Sequence, residues 1–285
     1  MPTVRALMFD QAGGPVLRQL VLIGTTLIAV AGSAFGQAQC DAVGPTRIRA
    51  CVYPGEGPTL VLAAGTGQDS RTWSPIVQQL HALGRVVTFD RPGLGLSPAG
   101  DGPRTPTTIA RELRQVLSSL DLLGPIVLIG HSMGGVHALR YSDLFPGDVA
   151  GVVLLDTPPP GFERDRLELL SAREREDRQR ALEEGRTRAP AVVGQERDGA
   201  AAEQWEFDRF PRERPLIVVV ADRQDFGEVG SLEAHRSLWM RRSSEWLDLS
   251  ANAELVIAGG SGHMVHHDRP QLVVEVVTRL IDRVY

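Results

Sequence analysis

Short apolar runs recur along the chain after residue 45 and alternate with stretches in which apolar residues return at helical spacing, as in Thr107–Leu122. Each run has apolar side chains at successive positions, which is typical of parallel strands buried on both faces. The runs predict six strands: Thr59–Ala63, Arg85–Phe89, Ile126–Ile129, Val149–Leu155, Pro215–Val220 and Ala253–Ile257. The alternation predicts an α/β fold with a mostly parallel, doubly wound sheet that is covered by helices on both faces.

A β-hairpin is predicted before these strands, with its turn near Gly44 and Pro45 and its second strand over Arg47–Tyr53. The two cysteines of the chain, Cys40 and Cys51, flank this turn. In an oxidising compartment two cysteines this close in sequence pair, and the bond would tie down the N-terminus. The alternative is two free thiols.

One region interrupts the alternation, because 158–214 contains no convincing strand. Its segment Glu163–Arg188 holds eight Arg and eight acidic residues, a mixture that favours solvated helices with ion pairs. We expect a helical insertion that either caps a cleft at the carboxyl edge of the sheet or forms a surface excursion. Trp205, Phe207 and Phe210 near its end are the large apolar side chains that could dock it or line a pocket.

The N-terminal segment contains an uncharged apolar run, Leu20–Ala34. The run is too short for a membrane span but suits the core of a secretory signal, with a cleavage site after Gly36 and before Gln37. We therefore expect a signal peptide over residues 1–36, one folded domain over 37–285, and a periplasmic or secreted protein. An uncleaved N-terminal anchor is the alternative.

The amino-acid composition excludes several classes of binding partner and catalytic group. The net charge of −5 gives no basic surface for nucleic acid, and all 30 positive side chains are Arg, since the chain has no Lys. The absence of Lys excludes a phosphate-loop lysine, a Schiff-base lysine and a Ser-Lys dyad. Two cysteines cannot build a four-cysteine zinc site or an iron–sulfur cluster. The remaining chemical groups are Ser, His and carboxylates.

A nucleophile motif follows the strand Ile126–Ile129. Residues 130–134 read GHSMG, the G-x-S-x-G pattern, and a helical stretch follows. Gly130 and Gly134, two residues before and two after Ser132, permit a strained turn. This turn presents the Ser132 hydroxyl at the start of the helix. The positive helix terminus and the N–H of Met133 can stabilise an oxyanion there.

Two further landmarks accompany this motif: residues 90–97 (DRPGLGLS) after a strand, and Ser261-Gly262-His263 before residues 268–270 (DRP). With them, residues 45–285 outside the insertion resemble the α/β-hydrolase superfamily. The resemblance implies a sheet of the α/β-hydrolase type with a helical cap insertion at about 158–214. It also implies a catalytic triad in the order Ser, acid, His.

The resemblance assigns roles to several residues. His263, in a glycine-rich turn after the last strand, is the expected general base and acid, with His266 and His267 as nearby rivals. The backbone N–H of Thr66, after the first strand of the sheet, is the expected second oxyanion donor beside Met133. No metal site is expected, because neighbouring surface histidines without further ligands are usually solvated.

The acid remains open between two carboxylates. In the family an Asp commonly follows the strand Pro215–Val220, but that slot holds Gln224 here, and Asp225 lies one residue further on. Some members take the acid from the end of the preceding strand, where this chain has Asp156. We slightly favour Asp225, with Asp156 as the second choice.

These expectations indicate a serine hydrolase that cleaves a small carboxylic ester through an acyl-enzyme, without a cofactor. A Ser at the elbow excludes an aspartate-nucleophile dehalogenase. Two alternatives stay open: an aminopeptidase or amidase on the same triad, and a non-catalytic ligand-binding protein that keeps the fold. Neither nucleic acid nor a stable membrane span is expected.

Overall fold

The computed structural model describes residues 37–227 and 229–285, so the expected signal peptide over 1–36 lies outside the described residues. An eight-stranded sheet forms the centre of the described chain. Its strands are β1 (Gln39–Val43), β2 (Ile48–Tyr53), β3 (Thr59–Ala63), β4 (Arg85–Phe89), β5 (Ile126–His131), β6 (Val149–Leu155), β7 (Leu216–Ala221) and β8 (Ala253–Ala258). Every strand predicted from an apolar run is present.

The strands lie in the order β1-β2-β4-β3-β5-β6-β7-β8. The pairs β1–β2 and β2–β4 are antiparallel, and each remaining neighbouring pair is parallel. The mostly parallel sheet is therefore confirmed, and its carboxyl edge carries the loops that follow six adjacent parallel strands.

Helices connect the strands. They are α1 (Val77–His81), α2 (Pro106–Ser119), α3 (Met133–Leu144), α4 (Phe162–Glu168), α5 (Ala172–Arg188), α6 (Ala191–Ala202), α7 (Leu232–Ser243), α8 (Val265–Asp268) and α9 (Pro270–Ile281). Short 3₁₀ turns cover Ser70–Trp73, Pro146–Asp148 and Ser244–Leu249. The helix predicted to run to Leu122 ends at Ser119, because Asp121 adopts a positive φ of 55° and the Leu122 N–H turns back to the Leu117 carbonyl.

Two apolar layers cover the sheet, since successive side chains of a strand point to opposite faces. In β3, Val61 packs on the face covered by α2, α3 and α7, whereas Leu60 and Leu62 pack on the face covered by α1 and α9. Both layers are fully buried in the central strands. This arrangement explains why the central strands read as continuous apolar runs.

The N-terminal hairpin closes one end of the sheet. Cys40 and Cys51 are directly opposite each other in the β1–β2 register and form a disulfide, so the pairing expectation is confirmed. Within residues 37–227 and 229–285, no helix has both the length and the apolar content that crossing a membrane requires.

The insertion between β6 and β7 consists of α4, α5 and α6. The helix α5 buries no residue, as its mixed charges predict, whereas α6 buries Val192 and Val193. At the end of the insertion, Phe207 and Phe210 are buried in the main apolar layer. The aromatic residues therefore dock the returning chain on the sheet.

Candidate active site

The predicted site residues converge at the carboxyl edge of the sheet. Ser132 follows β5, Asp156 follows β6, and His263 lies in the turn after β8. The loop that carries Thr66 follows β3, which is the other neighbour of β5. Ligand sites of open parallel sheets lie at this edge, and the strand order brings residues that are distant in sequence together there.

The backbone of Ser132 has the strained conformation expected of a nucleophile elbow. Its φ is 52° and its ψ is −129°, and it is the residue that precedes the first turn of α3. Its N–H donates to the Leu155 carbonyl at 2.9 Å, which ties the turn to β6. A Cβ at Gly130 would lie 2.5 Å from the Gly135 amide nitrogen, so the sharp turn requires glycine at this position.

Asp156 holds the ring of His263. The Nδ1–H of His263 donates to Asp156 Oδ2 at 2.7 Å, and the Asp156 side chain is fully buried. The other oxygen, Oδ1, accepts from the Ala221 N–H at 3.0 Å and from the indole N–H of Trp239 at 2.8 Å. Because a carboxylate only accepts, this arrangement places the proton of the neutral ring on Nδ1 and leaves Nε2 of His263 as a proton acceptor.

Asp225 is not the partner of His263. Its side chain is exposed, and Oδ1 accepts from the N–H of Gly227 at 2.8 Å within its own loop. Asp222 instead supports the His263 turn, since its Oδ1 accepts from the Gly260 N–H at 2.7 Å. The preference for Asp225 is therefore corrected to Asp156, whose position at the end of β6 is adjacent to the elbow in the sheet.

The loop after β3 lies directly against Ser132. A Cβ added at Gly65 would be 3.0 Å from the Cβ of Ser132, a distance at which the neighbour must move. The Gly65 N–H is held by Gln68, whose Oε1 accepts it at 3.0 Å. On the other side of Ser132, Met133 is the first residue of α3, so its N–H has no acceptor within the helix. Met133 and the loop that carries Thr66 therefore both lie next to Ser132.

Three other histidines surround His263. His131 donates from Nε2 to the His263 carbonyl at 2.9 Å, and its ring centroid is 4.7 Å from that of His263. His266 Nε2 lies 3.0 Å from the Thr72 hydroxyl, and His267 Nε2 donates to the Thr72 carbonyl at 2.8 Å. His266 and His267 each direct Nε2 to Thr72 and not to Asp156, so neither of these two rivals replaces His263 as the partner of Asp156.

The buried histidines are held neutral. Burial, reinforced by the neighbouring imidazoles, places the pKa of His131 well below its usual value and lowers the pKa of His266 to about 3. In the part of the chain that the structure describes, no group of three or more His, Cys, Asp or Glu side chains is arranged to hold a metal ion.

The mostly parallel sheet and the strained strand-to-helix turn at Ser132 are features of the α/β-hydrolase class. A family model described as "Alpha/beta hydrolase family" matches residues 60–276. The chain belongs to this family.

Individual relatives are more distant. The chain is 28% identical over 219 residues to the uncharacterized protein YqjL of Bacillus subtilis, covering 76% of this chain and 81% of that one. A thermophilic esterase from Thermogutta terrifontis superposes with a TM-score of 0.58 at 20% identity, covering 87% of this chain and 99% of that one. The haloalkane dehalogenase DatA of Agrobacterium tumefaciens reaches 0.61 at 18% identity, covering 87% and 97%. Similarity at this level shows the fold alone, since the two enzymes differ in chemistry.

Sequence reasoning missed the residues that support the site. Trp239 binds Asp156 from α7, 83 positions away, and Gln68 connects the β3 loop to Met264, with its Nε2 3.2 Å from the sulfur. Neither residue belongs to a motif, so only the spatial arrangement identifies it.

Replacing the carboxylate tests the assignment of the acid. In Asp156→Asn the amide oxygen can still accept from Ala221 and Trp239, but its NH₂ group faces His263 Nδ1 and favours the wrong tautomer. We expect kcat for a p-nitrophenyl ester to fall by about 10⁴. Asp225→Asn, the matched control, should keep the parental rate. An equal loss in the two variants, or no loss in Asp156→Asn, would contradict the assignment.

The neutral state of His266 predicts a pH-dependent stability. Its pKa is about 3 in the folded chain and about 6.5 when unfolded, so between these values the unfolded state binds more protons. The contribution of the neutral His266 to the free energy of unfolding is therefore lost progressively as the pH falls below about 6.5. The contribution of this one residue is about 2 kcal/mol between pH 7 and pH 5.

Urea unfolding at pH 7 and pH 5 measures this effect. His266→Gln should lose less stability on acidification than the parent, whereas His267→Gln, a change at the exposed neighbour, should keep most of the parental loss, because burial is the larger cause of the lowered His266 pKa and His267 a smaller one. Identical pH dependence in all three proteins would show that His266 is not neutral in the fold. The parent and both variants keep a further contribution of His137 to the pH dependence of stability, because burial lowers the pKa of His137 to about 3 as well.

Proposed function

We propose that the chain is a serine hydrolase that cleaves carboxylic esters through an acyl-enzyme. The observation that carries the proposal is the 2.7 Å bond between His263 Nδ1 and Asp156, at the strand edge where Ser132 has a strained elbow backbone. The buried carboxylate keeps the Nε2 lone pair of His263 available, as a general base requires.

In the proposed acylation step, Ser132 Oγ attacks the ester carbonyl and His263 Nε2 takes the hydroxyl proton. The charge that forms on the carbonyl oxygen is stabilised by the N–H groups of Met133 and Thr66, each worth about 10²–10³ in rate in comparable sites. Asp156 stabilises the imidazolium. The imidazolium then returns the proton to the departing alcohol, and the C–O bond to that alcohol breaks.

In deacylation, His263 removes a proton from water, and the resulting hydroxide attacks the acyl carbonyl. The same two N–H groups hold the second oxyanion. Collapse of the intermediate breaks the bond to Ser132 Oγ, which recovers its proton from His263, and releases the carboxylic acid.

Ester hydrolysis and active-site labelling test the proposal together. The parent should hydrolyse short p-nitrophenyl esters faster than aminoacyl p-nitroanilides, and a fluorophosphonate probe should label Ser132. In Ser132→Ala the label should be lost and kcat should fall by about 10⁶, whereas Ser74→Ala, a change at an exposed serine, should retain both. Preference for the anilides would favour an aminopeptidase, and an unlabelled parent would favour a non-catalytic binding protein.

We also propose that the chain is exported after cleavage before Gln37. The Cys40–Cys51 disulfide supports export, because such bonds persist in oxidising compartments and are rare in reducing ones. When the full chain is expressed in a bacterium, cell fractionation should find the mature protein outside the cytoplasm. N-terminal sequencing of that protein should start at Gln37. An intact N-terminus on a cytoplasmic protein would contradict export.

A further inference from the structure

A buried ion pair joins the insertion to the sheet beside the candidate site. Arg91 follows β4 and is 1% exposed, and Glu196 lies on α6 and is 3% exposed. The guanidinium donates from Nε to Glu196 Oε1 at 2.6 Å and from Nη2 to Oε2 at 2.9 Å. This two-pronged pairing fixes the plane of the guanidinium.

The same guanidinium binds the loop that carries the expected oxyanion donor. Its Nη1 donates to the Ala64 carbonyl at 2.7 Å, and its Nη2 donates to the Gly65 carbonyl at 2.8 Å. In a trans peptide the C=O and N–H groups point in opposite directions. Because the Gly65 carbonyl faces Arg91, the N–H of Thr66 in the same peptide points away from Arg91. The positive charge of the Arg91 guanidinium, which is bonded to that carbonyl, also polarises the peptide and strengthens its N–H as a donor.

The helix α6 reinforces this contact from the insertion. Glu196 Oε2 also accepts from the Gly67 N–H, at 3.4 Å. A Cβ at Gly67 would lie 3.0 Å from Val193 Cγ2, so α6 packs closely on the loop. Burial by itself raises the pKa of Glu196, but the Arg91 charge and the hydrogen bonds outweigh it, and the pKa lies below its usual value. The carboxylate therefore remains charged near neutral pH.

We propose that Arg91 and Glu196 form a clamp that positions the oxyanion loop, residues 64–67, with Arg91 as the positioning residue and Glu196 as its anchor on the insertion. The inference rests on the proposed hydrolase function. It makes the insertion part of the catalytic geometry, since the residue that orients the Thr66 peptide is itself held by α6. A purely stabilising role is a poor explanation, because apolar replacements of buried ion pairs are often at least as stable.

A matched pair of variants separates positioning from stability. Glu196→Gln removes the charge that holds Arg91 and keeps the size of the side chain. Glu112→Gln does the same to a second, partly buried ion pair, in which Arg104 donates to Glu112 at 2.6 and 2.9 Å. We expect kcat for a p-nitrophenyl ester to fall about tenfold or more in Glu196→Gln with little change in KM, and to remain at the parental value in Glu112→Gln.

A second variant guards against misfolding. Arg91→Met combined with Glu196→Leu removes both charges together and fills the space with apolar atoms, so the protein should fold. The Ala64 and Gly65 carbonyls nevertheless lose their donors. We expect a folded protein with low kcat and with a rate of phosphonylation by a fluorophosphonate reduced in the same proportion, since the phosphonyl oxygen occupies the oxyanion site.

Hydrogen exchange gives a readout that does not depend on activity. Amides of residues 64–68 should exchange faster in Glu196→Gln and in the double variant than in the parent or Glu112→Gln. Faster exchange supports the clamp even if the parent is not labelled at Ser132, a result that would refute only the hydrolase proposal. Unchanged exchange overturns the clamp whatever the activity, and faster exchange with parental kcat in a labelled enzyme overturns the positioning role.

Discussion

The site depends on a strained backbone at one residue. A serine at φ 52° and ψ −129° lies outside the regions that L-residues favour, and such strain costs about 1–3 kcal/mol. Local bonds offset it: the Ser132 N–H binds the Leu155 carbonyl, and its own carbonyl accepts from Gly135 at 2.9 Å. The first bond anchors the turn to β6, the strand that leads to Asp156. The strained backbone of Ser132 and the position of Asp156 are therefore linked through the neighbouring strands β5 and β6.

Near this turn, the buried charged side chains of Asp156 and Arg91 are paired across elements that are distant in sequence. The Asp156 carboxylate receives three donors, from His263, Ala221 and Trp239, and the Arg91 guanidinium connects the β3 loop to α6. Fully satisfied buried networks restrict the side chains to one arrangement. His131 and His266, which lie next to His263, add no charge near neutral pH, because burial lowers the pKa of each ring.

The strands, the hairpin disulfide and the elbow were predictable because each depends on residues close together in sequence. A continuous apolar run marks a strand buried on both faces, and GHSMG marks the turn that follows β5. The choice between Asp156 and Asp225 was not predictable in this way. Both follow parallel strands, and which carboxylate reaches His263 depends on the path of the turn after β8 and on the hydrogen bond from Trp239 of α7 to Asp156. The Arg91–Glu196 pair joins residues 105 positions apart, and no local pattern signals it.

A crystal structure of the protein after reaction with a fluorophosphonate tests the central claim most directly. The account predicts continuous density from Ser132 Oγ to phosphorus, with the phosphonyl oxygen about 2.7–3.1 Å from the N–H groups of Met133 and Thr66. It also predicts that His263 remains bonded to Asp156 in that adduct. A phosphonyl oxygen directed to solvent, or an adduct on another residue, would contradict it.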